Sequence, residues 1–286
     1  MDMSRKIKNI IAITVFLICI GLINVAGQNI EIEIRGMNAF TFILIIAVLL
    51  QIIFFIPSFL LKTEKYYDIV GSLTFIITIS IAYFSVENKT MIDSIIYFYV
   101  MVWASRLGIY LFRRVRNDGK DIRFEKAKRH FFWFLQYWMG QALWVSLTAC
   151  AAIIAILSPE DNSLPLFAMI GMVLWLSGFA IESISDYQKR VFRKENNPSE
   201  SFIHTGLWAR SRHPNYFGEI TLWIGIAVIA LNTLTGIEYI TLISPVFVYI
   251  LLTRMSGINL LERIADERYG HLEEYQRYKS TTPVLI

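Results

Sequence analysis

Long apolar stretches alternate with short polar segments along the whole chain. About eight of them approach the roughly 20 residues that an α-helix needs to cross a bilayer. They lie at 9–26, 39–61, 69–86, 91–112, 131–157, 164–181, 218–231 and 239–253. The pattern therefore predicts an all-α, polytopic transmembrane helical bundle of about seven to eight spans.

The first apolar stretch has two interpretations. Its basic start (Arg5, Lys6 and Lys8) and the small residues Val25-Ala26-Gly27 are also typical of a cleaved signal peptide. The apolar run is longer than the about 7–15 residues of a signal-peptide core, so we interpret it as a retained first helix.

Composition favours a membrane protein over a nucleic-acid-binding one. Of the 286 residues, 55% are hydrophobic and 17% are charged, whereas soluble domains average about 25% charged residues. The net charge of +4 resides in the polar segments between apolar runs, so we expect no nucleic-acid partner. Cys19 and Cys150 lie inside apolar runs without paired spacing, and neither a disulfide nor a zinc site follows.

Basic residues are concentrated on every second polar segment. The segments 1–8, 62–68, 113–130, 182–217 and 254–286 hold most of the Lys and Arg. The segments 28–38, 87–90, 158–163 and 235–238 hold almost none. By the positive-inside rule, both termini and all the basic segments face the cytoplasm.

A few ionisable residues interrupt the apolar stretches: Asp93, Arg106, Glu182, Glu219 and Arg254. Each costs about 2.5–3.5 kcal/mol to insert, so each is expected in a polar cavity or at the membrane interface. Asp93 and Arg254 lie near span ends and fit the interface. Arg106 lies deeper, where it either pairs between helices or contacts an anion or cofactor.

Asn215, Glu219 and Trp223 recur at every fourth position, which places them on one face of a helix. Pro214 suits the first turn of that helix. Buried polar groups in lipid must meet protein, water or a ligand. An amide and a carboxylate on one face match both edges of a carboxamide ring such as nicotinamide.

Two other helical patterns are open to a structural or a functional interpretation. In the segment 182–193, Asp186 either pairs with Arg190 on a solvated helix, or accepts hydrogen bonds from a ribose or adenine while the arginines contact phosphates. His271 and Tyr275 share one face of a tail helix and are either structural or part of a site. The sequence has no His, Cys and Asp set with metal-ligand spacing, so we predict no metal.

These motifs resemble the carboxy-terminal domain of the steroid 5-alpha-reductase superfamily, and within it the bacterial branch known as domain of unknown function 1295. The motifs cover roughly the last hundred residues, while the first half is similar only in hydropathy. The similarity is carried by Ser185-Asp186-Tyr187, Arg193, Gly206-Leu207, Arg212-His213-Pro214-Asn215-Tyr216-Phe217-Gly218-Glu219, Trp223, His271, Tyr275, Tyr278 and Pro283-Val284-Leu285-Ile286.

The resemblance implies a division of roles along the chain. Residues 1–130 would form the substrate side, and residues 131–286 the domain with cytoplasmic cofactor loops and tail. NADPH would be the cofactor, with Asp186 and Arg193 at its adenosine and phosphate part. The cofactor-binding set that the resemblance implies is Arg106, Asp186, Arg193, Asn215, Tyr216, Glu219, Trp223, His271 and Tyr275.

The implied reaction is hydride delivery to a conjugated ketone or alkene of a hydrophobic, sterol- or lipid-like molecule. The chain would be an oxidoreductase acting on CH–CH groups in lipid metabolism, in the bacterial inner membrane. Its partners would be this substrate and membrane lipids. The sequence does not indicate an oligomeric state, because no stripe of small residues predicts a dimer face.

The sequence departs from the steroid enzymes where a proton donor is needed. Those enzymes have a Gln-Glu pair before a Pro-Ser-Phe motif, and a Tyr three residues before the counterpart of Arg106. Here Phe54-Phe55 and Trp103 occupy these positions. The candidates that we select instead as catalytic residues are Glu64, Tyr66, Tyr67 and Asp68, with Tyr99 as a further possibility.

Two other functions fit the same motifs. Arg212-His213-Pro214-Asn215-Tyr216 and the tail also resemble integral-membrane methyltransferases of the isoprenylcysteine carboxyl type, which use S-adenosylmethionine. A non-catalytic lipid-binding membrane protein would retain the pocket without the proton donor. Asp186, Arg193 and the stripe of Glu219 and Trp223 favour the reductase.

Overall fold

The fold is given by a computed structural model that describes residues 3–118, 124–158, 166–196, 201–255 and 257–285. Parts of the predicted basic segment (119–123), acidic turn (159–163) and polar insertion (197–200) lie outside these ranges. The described helices are α1 (Met3–Ile23), α2 (Ala39–Leu60), α3 (Tyr67–Ser85), α4 (Met91–Asp118), α5 (Phe131–Leu157), α6 (Leu166–Glu195), α7 (Pro214–Ala230), α8 (Ile243–Ile250), α9 (Ile258–Tyr269) and α10 (Glu273–Thr281). A short antiparallel hairpin joins β1 (Glu33–Ile34) to β2 (Met37–Asn38).

The described residues contain seven helical segments long and apolar enough to cross a membrane. They are Met3–Gly27, Ala39–Leu60, Tyr67–Ser85, Met91–Arg113, Phe131–Leu157, Leu166–Glu195 and Gly236–Tyr269. Helix α7 is apolar as well but has only 17 residues. The predicted all-α, polytopic bundle is confirmed, and the chain is a multi-pass membrane protein. The cytoplasmic placement of both termini stays a prediction.

The chain forms two compact units, Met1–Pro165 with Ala230–Leu242, and Leu166–Ile229 with Ile243–Ile286. In the first unit, α5 is the central helix and packs against α1, α2, α3 and α4. Its second half, from Thr148 to Leu157, is buried at every position. A helix that is apolar on all sides is stable in this central position because it has no polar face that needs contact with water.

The second unit is built on a close crossing of α6 and α7. A Cβ on Gly171 would lie 2.6 Å from the carbonyl oxygen of Gly225, and one on Gly178 would lie 2.6 Å from that of Gly218. Each helix therefore contributes two glycines seven residues apart to one seam. A Cβ on Gly218 would also lie 2.5 Å from the backbone nitrogen of Glu182. The seam brings the polar end of α6 against the start of α7.

Candidate functional site

The predicted stripe, which consists of Asn215, Glu219 and Trp223, lies at the beginning of α7. Pro214 occupies the first helical position, and the carbonyl of His213 accepts hydrogen bonds from the N–H groups of Tyr216 and Phe217 at 3.1 and 3.2 Å. These bonds close the first turn around Asn215. One and two turns further on, Glu219 and Trp223 are both buried. Glu219 and Trp223 therefore face the protein interior, and Asn215 is half-buried on the same face.

Asn215 has the most informative polar atom of the stripe. Its side-chain oxygen Oδ1 is buried, and no donor in the described part of the chain reaches it. A buried amide oxygen without a donor costs about 1–3 kcal/mol, so this position favours a ligand that brings a hydrogen-bond donor.

Asp186 lies on α6, one helical turn beyond Glu182, and is only 6% exposed. Because Glu182 lies against Gly218 and the two helices run in opposite directions, Asp186 is level with the residues that precede α7. Arg193, two turns further along α6, is exposed. The predicted adenosine and phosphate contacts thus lie on the extension of α6.

Trp208 connects the end of α6 with the tail. Its indole Nε1 donates to the carbonyl of Ser185 at 3.1 Å, and its own carbonyl accepts from the hydroxyl of Tyr278 at 2.7 Å. The ammonium of Lys189 lies 4.6 Å from the centre of the Trp208 ring. The short helical turn Gly206–Ala209 is therefore fixed from both sides.

The two residues before α7 share one carboxylate. Glu262 of α9 accepts from Nη1 of Arg212 at 2.6 Å, and Nε2 of His213 lies 2.8 Å from its other oxygen. The backbone N–H groups of Arg212 and His213 donate to the carbonyls of Pro283 and Val284 at 3.0 and 3.2 Å. The tail and α9 together hold the segment that leads into Asn215.

Burial sets the protonation of the groups around this segment. Burial lowers the pKa of His213, although its hydrogen bond to Glu262 opposes the shift. Burial also raises the pKa of Tyr278 to about 12. His213 is therefore held neutral, and Tyr278 remains a hydrogen-bond donor across the physiological range.

The other two tail residues of the predicted site differ in their surroundings. Tyr275 is buried, its hydroxyl donates to Asp266 at 3.0 Å, and burial raises its pKa. Lys279 pairs with the same carboxylate at 2.6 Å. His271 is exposed in the turn between α9 and α10. For Tyr275 and His271, contact with the cofactor stays a prediction.

The remaining candidates lie in the first unit. Arg106 is half-buried on α4. Glu64 is buried and pairs with Lys128 at 2.6 Å. The hydroxyl of Tyr67 donates to the carbonyl of Tyr137 at 2.9 Å. Asp68 lies in the first turn of α3. Glu64 and Tyr67 thus already have structural partners.

Tyr66 differs from the other proton-donor candidates. Its side chain is 53% exposed and lines a groove of about 340 Å³. The groove is almost entirely apolar, and its walls include Phe54, Pro57, Ile69 and Leu73. Tyr66 therefore lies on the wall of a space suited to a hydrophobic molecule.

Two of the positions at which this sequence differs from the steroid enzymes hold aromatic residues of the core. Phe55 packs against the rings of Phe59, Phe131 and Phe134, at centroid distances of 5.2–5.9 Å. Trp103 is fully buried, with its ring 5.0 Å from that of Phe75. Both positions contribute packing in this chain.

The sequence pattern did not indicate Glu262 as part of the site. It lies 50 residues from Arg212 in sequence, and its neighbours on α9 form an ordinary mixed helix. The one local signal was the pair Arg212-His213, because two adjacent donors beside a buried helix start require an acceptor.

As for metals, no group of His, Cys, Asp and Glu in the described residues converges on a metal position; the predicted absence of a metal stays a prediction.

Comparison with known proteins gives a consistent set of relatives. The family model described as "Protein of unknown function (DUF1295)" matches residues 54–282. The chain is 30% identical over 118 residues to 3-oxo-5-alpha-steroid 4-dehydrogenase 1 of Mus musculus, which is 41% of each chain. The proteins of the same name from Macaca fascicularis and Rattus norvegicus are 26% and 29% identical over 118 residues, or 41% of this chain and 40% of theirs. The chain thus spans about two fifths of these curated relatives. No solved structure matches it.

Proposed function

Because the chain belongs to the family described as protein of unknown function (DUF1295), within the steroid 5-alpha-reductase superfamily, we propose that it is an integral-membrane reductase. It uses NADPH to reduce a conjugated ketone or alkene of a hydrophobic, sterol- or lipid-like molecule. The observation that carries this proposal is the buried Oδ1 of Asn215, which no donor in the described residues reaches.

The side chains of the stripe fit the nicotinamide end of such a cofactor. Asn215 accepts a carboxamide N–H, and Glu219 offers a carboxylate one turn away on the same face. Trp223 supplies a flat apolar surface on the next turn. When bound, NADPH supplies a hydride to the substrate. The protein's task at this end is to orient the ring and to exclude water.

The other end of the cofactor is assigned to α6. The carboxylate of Asp186 accepts hydrogen bonds from ribose hydroxyls, and the exposed guanidinium of Arg193 pairs with phosphate. The glycine seam brings Glu182, one turn before Asp186, against Gly218 in the first turns of α7. We place this end on the cytoplasmic side of a bacterial inner membrane, in line with the basic segments.

The substrate is assigned to the groove beside Tyr66. Its apolar walls suit a hydrocarbon body, and the Tyr66 hydroxyl can donate a proton to the developing enolate oxygen. Phe54 and Phe55 cannot do so. Glu64 is engaged by Lys128 and Tyr67 by Tyr137, so Tyr66 is preferred over these two candidates as the donor.

Thermal unfolding of the purified protein in detergent tests the cofactor assignment. NADPH is expected to raise the unfolding midpoint, and S-adenosylmethionine is not. A rise with S-adenosylmethionine alone supports the methyltransferase that the motif Arg212-His213-Pro214-Asn215-Tyr216 also resembles. A rise with neither supports a non-catalytic lipid-binding protein.

Variants locate the cofactor. Asn215→Leu is expected to remove the NADPH effect, whereas Asn196→Leu, at the exposed end of α6, is expected to retain it. Asp186→Ala and Arg193→Ala are each expected to weaken it. An NADPH effect that survives both changes contradicts the assignment of the phosphate end to α6.

A further inference from the structure

A second apolar groove lies between α1 and α2, and the proposed function does not use it. It has a volume of about 280 Å³ and is lined by α1 from Leu17 onward, by Asn24 directly after α1, and by α2 between Thr41 and Leu49. The substrate groove beside Tyr66 adjoins the opposite end of α2. The two grooves are therefore separate.

The groove exists because α1 and α2 both pack against α5 and touch each other only weakly. Its floor consists of Ile20 and Leu44, which are 6% and 4% exposed. Its rim includes Leu17, Ile45 and Leu49, which are 40–44% exposed. Both walls belong to membrane-spanning segments, so the open side of the groove faces the hydrocarbon of the bilayer.

Gly21 leaves the middle of the groove open, because a Cβ at this position would meet no atom within 4 Å. A polar pair marks one end, where the hydroxyl of Thr41 donates to Oδ1 of Asn24 at 2.9 Å. The two residues lie within three positions of the span ends Gly27 and Ala39. The polar end of the groove is therefore close to the level at which lipid headgroups begin.

The dimensions of the groove favour a single hydrocarbon chain as its occupant. The eight residues from Thr41 to Leu49 correspond to about 12 Å of helix, whereas one leaflet contributes about 15 Å of hydrocarbon. Spread over this length, the volume of about 280 Å³ gives a cross-section of roughly 23 Å². A helix of a second copy is too wide to enter, at about 10–12 Å with its side chains. Water finds polar side chains only at Asn24 and Thr41 in this lining.

We propose that the groove between α1 and α2 binds one acyl chain of a membrane phospholipid, with the polar part of the lipid next to Asn24 and Thr41. The chain supplies the dispersion contacts that the apolar walls otherwise lack. The Asn24 oxygen is used by Thr41, which leaves its Nδ2 group to donate to an ester carbonyl. The proposal needs neither NADPH nor the proposed reduction, because both helices belong to the first unit.

Native mass spectrometry of the full chain, released from detergent with added 1-palmitoyl-2-oleoyl-phosphatidylcholine, tests this proposal. We expect one lipid to bind saturably to the wild type. Gly21→Phe is expected to weaken the apparent affinity at least about tenfold, because the phenyl ring occupies the groove and overpacks a bound chain. Leu22→Phe is the matched control. It places the same ring on the next residue, which is 62% exposed and outside the groove, and should bind lipid like the wild type.

Four results overturn the proposal. Wild-type affinity in Gly21→Phe places the bound lipid elsewhere. An equal loss in Leu22→Phe shows that lipid binds anywhere around α1. A wild-type chain that retains no lipid shows that the groove does not select a chain. A dimer that Gly21→Phe dissociates assigns the groove to a second copy.

Photolabelling of the wild type applies if Gly21→Phe does not fold, and it also tests the direction of the chain. Phosphatidylcholine with a diazirine at the end of an acyl chain is expected to label the groove near Leu17 and Leu49. A diazirine close to the ester is expected to label it near Asn24 and Thr41. Excess unlabelled lipid should remove both labels. Labels in the reverse order, or labels that the excess does not remove, contradict the proposal.

Discussion

Nε2 of His213 lies 2.8 Å from Oε1 of Glu262, and the second oxygen of that carboxylate holds Arg212 at 2.6 Å. One side chain of α9 therefore fixes two consecutive residues directly before α7. Asn215 follows two residues later, in the first turn of that helix. The geometry of the proposed nicotinamide site consequently depends on a residue far away in sequence.

Glu262→Gln tests this dependence. A neutral amide loses the charge that pairs with Arg212, and it keeps both contacts only if its NH2 group donates to the other tautomer of His213, so we expect a destabilisation of about 1–3 kcal/mol and weaker binding of NADPH. Thermal unfolding with and without NADPH measures both effects. Glu267→Gln, at an exposed position on the same helix, is the control and is expected to behave like the wild type. Identical behaviour of the two variants would show that the Glu262 contacts are dispensable.

The lowered pKa of His213 predicts a pH dependence of stability. An unfolded histidine titrates near pH 6.5, whereas burial lowers the folded value. Between the two values the unfolded chain binds more protons, so stability falls as pH falls below about 6.5. The midpoint of thermal unfolding should decrease less over this range in His213→Asn. His204→Asn, which alters an exposed imidazole, is the control. A steeper or unchanged decrease in His213→Asn would refute the assignment.

The close packing at the glycine seam predicts that the effect of a glycine-to-alanine substitution on stability depends strongly on its position. Gly178→Ala brings a Cβ within 2.6 Å of the Gly218 carbonyl oxygen, and overpacking of this kind costs about 1–3 kcal/mol. Gly21→Ala in α1 meets no atom within 4 Å and should leave stability unchanged or raise it slightly. Equal unfolding midpoints of the two variants would exclude close packing at the seam.

Tyr66 and Tyr67 are expected to respond differently to loss of the hydroxyl. Tyr66→Phe should lower turnover of a hydrophobic enone by about 10²–10⁴-fold without changing stability, because it removes the proton donor. Tyr67→Phe should mainly lower stability, by about 1 kcal/mol, because its hydroxyl bonds the Tyr137 carbonyl. NADPH consumption with a panel of enones and thermal unfolding separate the two outcomes. Full turnover in Tyr66→Phe would remove this residue from the mechanism.

The helices, the superfamily and the stripe on α7 could be predicted because each has a local signal. Apolar length predicts a span, and spacing of four residues places Asn215, Glu219 and Trp223 on one face. The membrane-spanning helical bundle and the family described as protein of unknown function (DUF1295) are confirmed. The roles of the site residues stay predictions.

The remaining features depend on contacts between distant segments, which one sequence does not reveal. The glycines of α6 and α7 form a seven-residue pattern in each helix, but nothing local shows that the two patterns meet. Glu262 resembles any charged residue of a surface helix until Arg212 is placed beside it. Likewise, α1 and α2 leave a groove between them because both pack against α5, which their own apolar patterns do not show.

The most direct test of the proposed function follows a hydride. Membranes that contain the protein are incubated with a hydrophobic enone and with NADPH deuterated on the transferable position of the nicotinamide ring, and the product is analysed by mass spectrometry. With the wild type we predict a reduced product that carries one deuterium on carbon. With Asn215→Leu we predict that no reduced product forms. Reduced product without deuterium, or methylated product from S-adenosylmethionine with no reduction, would contradict the account.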